Sequence, residues 1–253
     1  MVKVVVLGAG NVAYHLTNKL LDCKNIQLVQ VYNRDIEKIK YLTSKTTITN
    51  NLNQLAKADV YVISVSDNAV PILSKKINAP NKLVVHTCGS LGMNELKCNA
   101  KKGVLYLLQT FSKNRDIDFT KVPMCIEAQT EADLITLHKI ANALSNSVYI
   151  INSKQRIKLH TAAVFVNNFV NHLYFQGQEI CKNNDVSFDV LKPLILETAS
   201  KVNELPPFDA QTGPAKRNDT LTLNKHYSSL KNNQLKIYKL LTKSIIETYG
   251  KKL

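Results

Sequence analysis

Val2-Lys3-Val4-Val5-Val6-Leu7-Gly8-Ala9-Gly10-Asn11-Val12-Ala13 decides how the rest of the chain is read. The apolar, valine-rich run has the composition of a strand buried on both faces. It ends in a glycine turn, where a cleaved leader would end in a small-residue cleavage site, so it reads as a strand and not a signal peptide. Gly8 to Ala13 fits the spacing G-x-G-x-x-G/A, placed between a strand and a helix as that motif requires. Gly8 permits a tight turn, and Gly10 lets the backbone approach a diphosphate. Ala13 is small enough for close helix–strand packing. The helix opening at Asn11 and Val12 turns free N–H groups and the positive end of its dipole toward the phosphates. Gly8, Gly10, Asn11, Val12 and Ala13 are therefore the expected phosphate-binding turn of a dinucleotide site.

Outward from that turn, short β-rich runs alternate with helical stretches. Strands are expected at 26–32, 60–65, 83–86, 104–108, 124–128 and 148–151, and helices at 12–21, 36–44, 69–77 and 131–144. Continuous apolar strands in such alternation predict an α/β fold of Rossmann type, a mostly parallel, doubly wound sheet covered on both faces. From Ser153 onward no strand is expected. Ser153 is placed to cap a helix running to about Cys181, and further helices are expected at 187–203, 221–230 and 234–249. The pattern predicts a cofactor-binding domain over 1–152 and an all-α domain over 153–253.

Composition narrows the function classes. Of 253 residues, 45% are hydrophobic, enough for a packed core. No apolar run approaches the ~18 residues that span a bilayer. The five cysteines form no CxxC pair, so neither a disulfide framework nor a metal site is expected. The net charge of +14 is spread along the chain, with no run longer than pairs such as Lys75-Lys76, Lys101-Lys102 and Lys251-Lys252. A nucleic-acid binder shows a concentrated basic stripe. A cytoplasmic protein with no nucleic-acid or membrane partner is expected.

The second strand ends in Asn33-Arg34, where an NAD site carries an acidic residue. Arg34 stands where a 2′-phosphate would lie, and an arginine–phosphate bond is charge-assisted and suited to two-point contact. The expected cofactor is NADP, held on this side by Asn33 and Arg34. A one-residue register shift would instead bring Asp35 to the ribose. Ser64-Val65-Ser66 ends another parallel strand, where open α/β sheets bind ligands, although Ser66 or Asp67 is equally placed to cap the next helix. His86-Thr87-Cys88-Gly89-Ser90 ends the strand after that. His86 and Thr87 are candidates for the nicotinamide side. His86 is either a proton donor or a buried, hydrogen-bonded histidine.

Several segments together resemble one family: the glycine turn, Ser66-Asp67-Asn68-Ala69, His86–Ser90, Leu108-Gln109-Thr110-Phe111-Ser112-Lys113, His160–Phe165, Asn168-Phe169 and Thr212–Asp219. It is the Rossmann-like NADP oxidoreductases whose C-terminal helical part is domain of unknown function 2520, distantly similar to pyrroline-5-carboxylate reductase and 6-phosphogluconate dehydrogenase. Leu107 departs from the family's proline at that place. The resemblance implies that His160 serves as general acid and that Asn168 orients the substrate. It also implies a homodimer through the helical domain. Asn167, seven residues after His160, falls almost on the same helix face, with Asn168 about one ~100° step further round. Cys88, Gly89, Gln109 and Arg217 are the expected substrate contacts. Arg217 suits a carboxylate or phosphate, or else pairs with Asp219. The function implied is NADP(H)-dependent reduction of a small carbonyl or imine compound in the cleft between the two domains. The alternative is an NADP(H)-binding sensor without turnover.

Overall fold

A computed structural model describes residues 1–250; the Lys251-Lys252 pair lies outside the described residues. The chain separates into two compact units, Met1–Phe169 and a second beginning at Val170, whereas the sequence pattern changes at Asn152.

The first unit is built on one sheet. Its strands are β1 (Val2–Leu7), β2 (Ile26–Tyr32), β3 (Thr47–Thr49), β4 (Val60–Ile63), β5 (Leu83–His86), β6 (Lys101–Leu107), β7 (Met124–Ala128) and β8 (Val148–Ile150). Their spatial order is β3-β2-β1-β4-β5-β6-β7-β8. Every pairing is parallel except the antiparallel β6–β7 pair. Because β1 has β2 on one side and β4 on the other, the connections diverge there. That divergence opens a crevice at the carboxyl ends of β1 and β4. The residues of β1 alternate between two apolar clusters. Val4 and Val6 join one and Val5 and Leu7 the other, so both faces of the sheet are covered. This is the α/β, doubly wound arrangement expected from the valine-rich strands.

The helices of this unit are α1 (Asn11–Leu21), α2 (Val70–Ser74), α3 (Glu131–Leu144) and α4 (Ser153–Ala163). A third apolar cluster, Val104, Tyr106 and Cys125, packs against Leu159 of α4. Local structure departs from expectation in several places. Ile36–Leu42 is a 3-10 helix. The Thr47–Thr49 strand was not foreseen; it is three residues at the sheet edge. Asn152, not Ser153, caps α4, through a reciprocal capping box with Gln155. Val164–Phe169, expected as ordinary α-helix, is a π-helical turn.

The second unit contains α5 (Val170–Lys182), α6 (Lys192–Glu204), α7 (Pro207–Ala210), α8 (Thr220–Ser229) and α9 (Asn232–Tyr249), and no strand among its described residues. Asp219 caps α8 by accepting from the Thr222 N–H at 3.1 Å. The rings of Phe208 and Tyr249 lie 4.8 Å apart, and the Tyr238 hydroxyl meets His226 Nδ1 at 2.6 Å. Its fully buried residues are few, Ala215, Leu223 and Thr242 among them. Val190, Leu194, Leu196, Leu221 and Leu240 are each more than 60% exposed.

Candidate functional site

The glycine turn is shaped by two different demands. Gly8 has φ +143°, and a Cβ there would lie 1.9 Å from the Ser64 carbonyl oxygen, so the fold itself excludes a side chain. Gly10 is different. Its φ of −72° and ψ of −177° suit any residue. A Cβ built on it meets nothing within 4 Å. No contact inside the protein explains a glycine at this position, and the bare backbone faces open space. α1 begins at the next residue without a side-chain cap and without an acidic residue in its first turn, which leaves its amides and its positive dipole end available to an anion. Ala13 lies in the core, 1% exposed, in van der Waals range of the Gly8 position.

A cavity of about 1000 Å³ begins at this turn, lined by Gly8, Gly10, Asn11 and Val12. On one side Asn33, Arg34 and Lys38 line it, with Ser64, Val65 and Ser66 from the end of β4. Arg34, in the bend after β2, and Lys38, in the 3-10 helix that follows, are exposed cations. Asp35 is not among the lining residues; its carboxylate pairs with Lys38 at 3.6 Å. The register that would bring Asp35 to a ribose is thus not the one adopted. Lys38 escaped the sequence reading because nothing in a predicted helix over 36–44 marks which of its lysines turns toward the cavity. Ser66 is the N-cap residue of a short 3-10 turn but makes no side-chain capping bond. Asp67 also lines the cavity and accepts a hydrogen bond from the Ser90 hydroxyl.

The other side of the cavity is lined by Thr87, Cys88, Gly89, Tyr106, Gln109 and His160, with Asn167 and Asn168. The Thr87 hydroxyl donates to Ser64 Oγ at 3.2 Å, tying the ends of β4 and β5 together. Gln109 turns its amide oxygen onto the Thr110 N–H at 2.8 Å. Asn11 Nδ2 donates to the Phe111 carbonyl at 2.8 Å, and the His15 ring contacts the Ser112 carbonyl at 2.9 Å, so α1 holds this loop over the turn. Burial first, then the nearby Asp67 carboxylate, push the Cys88 thiol far above its ordinary range. Cys88 is therefore a neutral wall of the cavity and not a nucleophile.

His86 is corrected by the structure. It is fully buried, is not among the cavity's lining residues, and accepts the Cys88 N–H on Nδ1 at 3.1 Å. Burial, reinforced by the Arg156 cation, lowers its pKa to about 4. It is neutral near pH 7 and its ring does not reach the cavity, so it is not placed to protonate a substrate there. Arg156 is also fully buried. It pairs with Glu127 of β7, donates to the Leu91 carbonyl, and donates to Ser153 Oγ at 3.1 Å.

His160 lies one helical turn beyond Arg156 on α4 and lines the cavity. Its Nδ1 meets the Tyr106 hydroxyl at 3.1 Å. Gly89 presses against both: a Cβ there would sit 2.6 Å from His160 Nδ1 and 2.8 Å from the Tyr106 ring. Tyr106 was missed because nothing in a strand expected at 104–108 marks an aromatic side chain that reaches a cavity. The π turn at Val164–Phe169 changes the spacing expected from a 3.6-residue helix, and both Asn167 and Asn168 line the cavity with His160. Arg217 lies in the second unit, is exposed, and is not among the lining residues. Among the described residues no group of three or more His, Cys, Asp or Glu side chains is placed to hold a metal ion. No described helix is long and apolar enough to cross a membrane.

Comparison with known proteins agrees with this architecture. The family model described as "NADP oxidoreductase coenzyme F420-dependent" matches residues 3–88, and that described as "Domain of unknown function (DUF2520)" matches residues 122–245. A crystal structure from Bacteroides fragilis, described as a "putative NADP oxidoreductase", is 41% identical, with a TM-score of 0.89 over 97% of this chain and 98% of that one. A reductive aminase from Aspergillus terreus in complex with NADPH and ethyl levulinate is 14% identical, with a TM-score of 0.71 over 99% of this chain and 95% of that one. A pyrroline-5-carboxylate reductase from Coxiella burnetii is 16% identical, with a TM-score of 0.58 over 98% of both chains. At such identity the last two share the fold. No curated protein sequence matches the chain.

Proposed function

The chain belongs to the family of NADP oxidoreductases that carry a C-terminal DUF2520 domain, and from that membership we propose that it reduces a small carbonyl or imine compound at the expense of NADPH. The observation that carries this reading is Gly10. It is a glycine that the protein does not need for its own packing, at the mouth of a cavity running on to His160.

The residues present fit the cofactor. The amides of the first turn of α1 and the bare backbone at Gly10 would take the diphosphate, and Arg34 with Lys38 would take the 2′-phosphate. When bound, the cofactor supplies a hydride to the substrate carbon. The work left to the protein is to place the substrate and deliver a proton to the oxygen or nitrogen that gains charge. His160 is the proton donor at that end of the cavity, and Asn168 orients the substrate. The buried side of the cavity, walled by Thr87, Cys88 and Tyr106, excludes water from the reacting atoms.

The same reading includes a cytoplasmic homodimer joined through the helical unit, supported by the apolar side chains that unit leaves exposed. The direct experiment is titration with NADPH and NADH. NADPH is expected to bind more tightly, and Arg34→Ala to weaken NADPH by roughly tenfold to a hundredfold, the value of a charge-assisted hydrogen bond, while barely changing NADH. Equal affinity for the two cofactors in the wild type would overturn the assignment.

A further inference from the structure

We propose that Tyr106 is a positioning residue that fixes His160 as the tautomer with its proton on Nε2, so that the cavity presents an Nε2–H donor to the substrate atom that gains charge. The inference rests on the reading of this cavity as a cofactor and substrate site.

The direction of the Tyr106–His160 hydrogen bond follows from what each group has available. Either partner can donate across the 3.1 Å separation. Burial, with a smaller contribution from Cys125, raises the Tyr106 pKa to about 12, so the phenol keeps its proton. Among the described residues, the only partner of that hydroxyl is His160 Nδ1. If Nδ1–H were the donor, the phenol proton of a residue that is 8% exposed would have no protein acceptor among the described residues. If the phenol donates, one bond satisfies both groups, and the imidazole proton is left on Nε2. That nitrogen makes no hydrogen bond to any described residue, and the half-buried ring lines the cavity.

The surroundings hold the pair in this arrangement. Tyr106 is the penultimate residue of β6, on the face that packs against α4. One turn before His160, the buried Arg156 ties α4 to β7 through Glu127 and to the loop after β5 through the Leu91 carbonyl. Gly89 closes over Nδ1 so tightly that no side chain fits. The Nδ1 edge is therefore enclosed by protein, and the Nε2 edge is the one left for chemistry. An imidazole held this way turns a fixed N–H donor toward the substrate atom that gains charge.

The test is the nitrogen-15 spectrum of histidine-labelled protein, with the His160 signals assigned by their loss in His160→Gln. In the wild type at neutral pH, His160 is expected to show a protonated Nε2 and a bare, hydrogen-bonded Nδ1. In Tyr106→Phe, the Nδ1 signal should move to the position of a nitrogen with no donor. A proton found on Nδ1 in the wild type, or an Nδ1 signal that Tyr106→Phe leaves unmoved, overturns the tyrosine's role and leaves the cofactor reading intact. A wild type that fails to bind NADPH overturns the function on which the inference rests, whatever the tautomer. Should Tyr106→Phe not fold, the wild-type spectrum alone decides.

Discussion

At His86, burial and charge act in the same direction. The ring has lost its water, and the Arg156 cation is close by, so the protonated form is disfavoured and the pKa falls from 6.5 to about 4. The sign of the linkage follows. The unfolded chain binds a proton near pH 6.5, and the folded protein resists it until about pH 4. The stability due to neutral His86 is complete above pH 6.5 and is lost as the pH falls toward 4. At ~1.4 kcal/mol for each pKa unit, about 3 kcal/mol is lost across that window. His86→Asn should flatten the fall, measured as the difference between wild-type and variant denaturant midpoints from pH 7 to pH 4. Parallel curves would contradict the assignment. The sequence marked both His86 and His160 as candidates because residue type carries no information about burial. Their separation needed Tyr106, Gly89 and Arg156, whose contacts span from 54 to 71 positions along the chain.

Among the elements, the strands were legible and the turns were not. β4 is an unbroken apolar run, and β1, β2 and β5 are predominantly apolar, because a strand covered on both faces leaves little room for polar side chains. β6 starts earlier than its apolar pattern, since Lys101 and Lys102 at its start are not fully buried. β3 is a Thr-Ile-Thr edge strand with a single neighbour, and three residues carry too little pattern to register. The π turn at 164–169 lies in a segment whose local sequence reads as ordinary helix. α4 shows what fixes an element in place. Its attachment to the sheet runs through the buried Arg156–Glu127 pair, and removing one partner strands a charge. Arg156→Met should destabilise the protein by roughly 3–5 kcal/mol, and adding Glu127→Gln should recover part of that loss, read from chemical melts. An additive double variant would show that the two residues do not work as a pair.

For the molecule as a whole, the two units bury apolar surface very unequally. The sheet-based unit has dozens of fully buried side chains, whereas the helical unit buries few and exposes Val190, Leu194, Leu196, Leu221 and Leu240. An apolar surface of that extent on a stable protein is normally covered. The expected outcome is a solution mass twice the 28.4 kDa of the chain, by light scattering, with Leu194→Glu and Leu240→Glu together shifting it toward monomer. A wild type that runs as monomer at high concentration would remove the dimer from the account.

The central claim is that the glycine turn exists to hold a diphosphate, and Gly10→Ala tests it most directly. The backbone there suits alanine and a methyl group meets no protein atom, so folding stability should be unchanged or raised by about 0.4–1 kcal/mol through the stiffer unfolded chain. The same methyl group would stand where the diphosphate must approach. We predict at least tenfold weaker NADPH binding by calorimetry, with an undiminished melting temperature. Unchanged NADPH affinity in a well-folded Gly10→Ala protein would contradict the account.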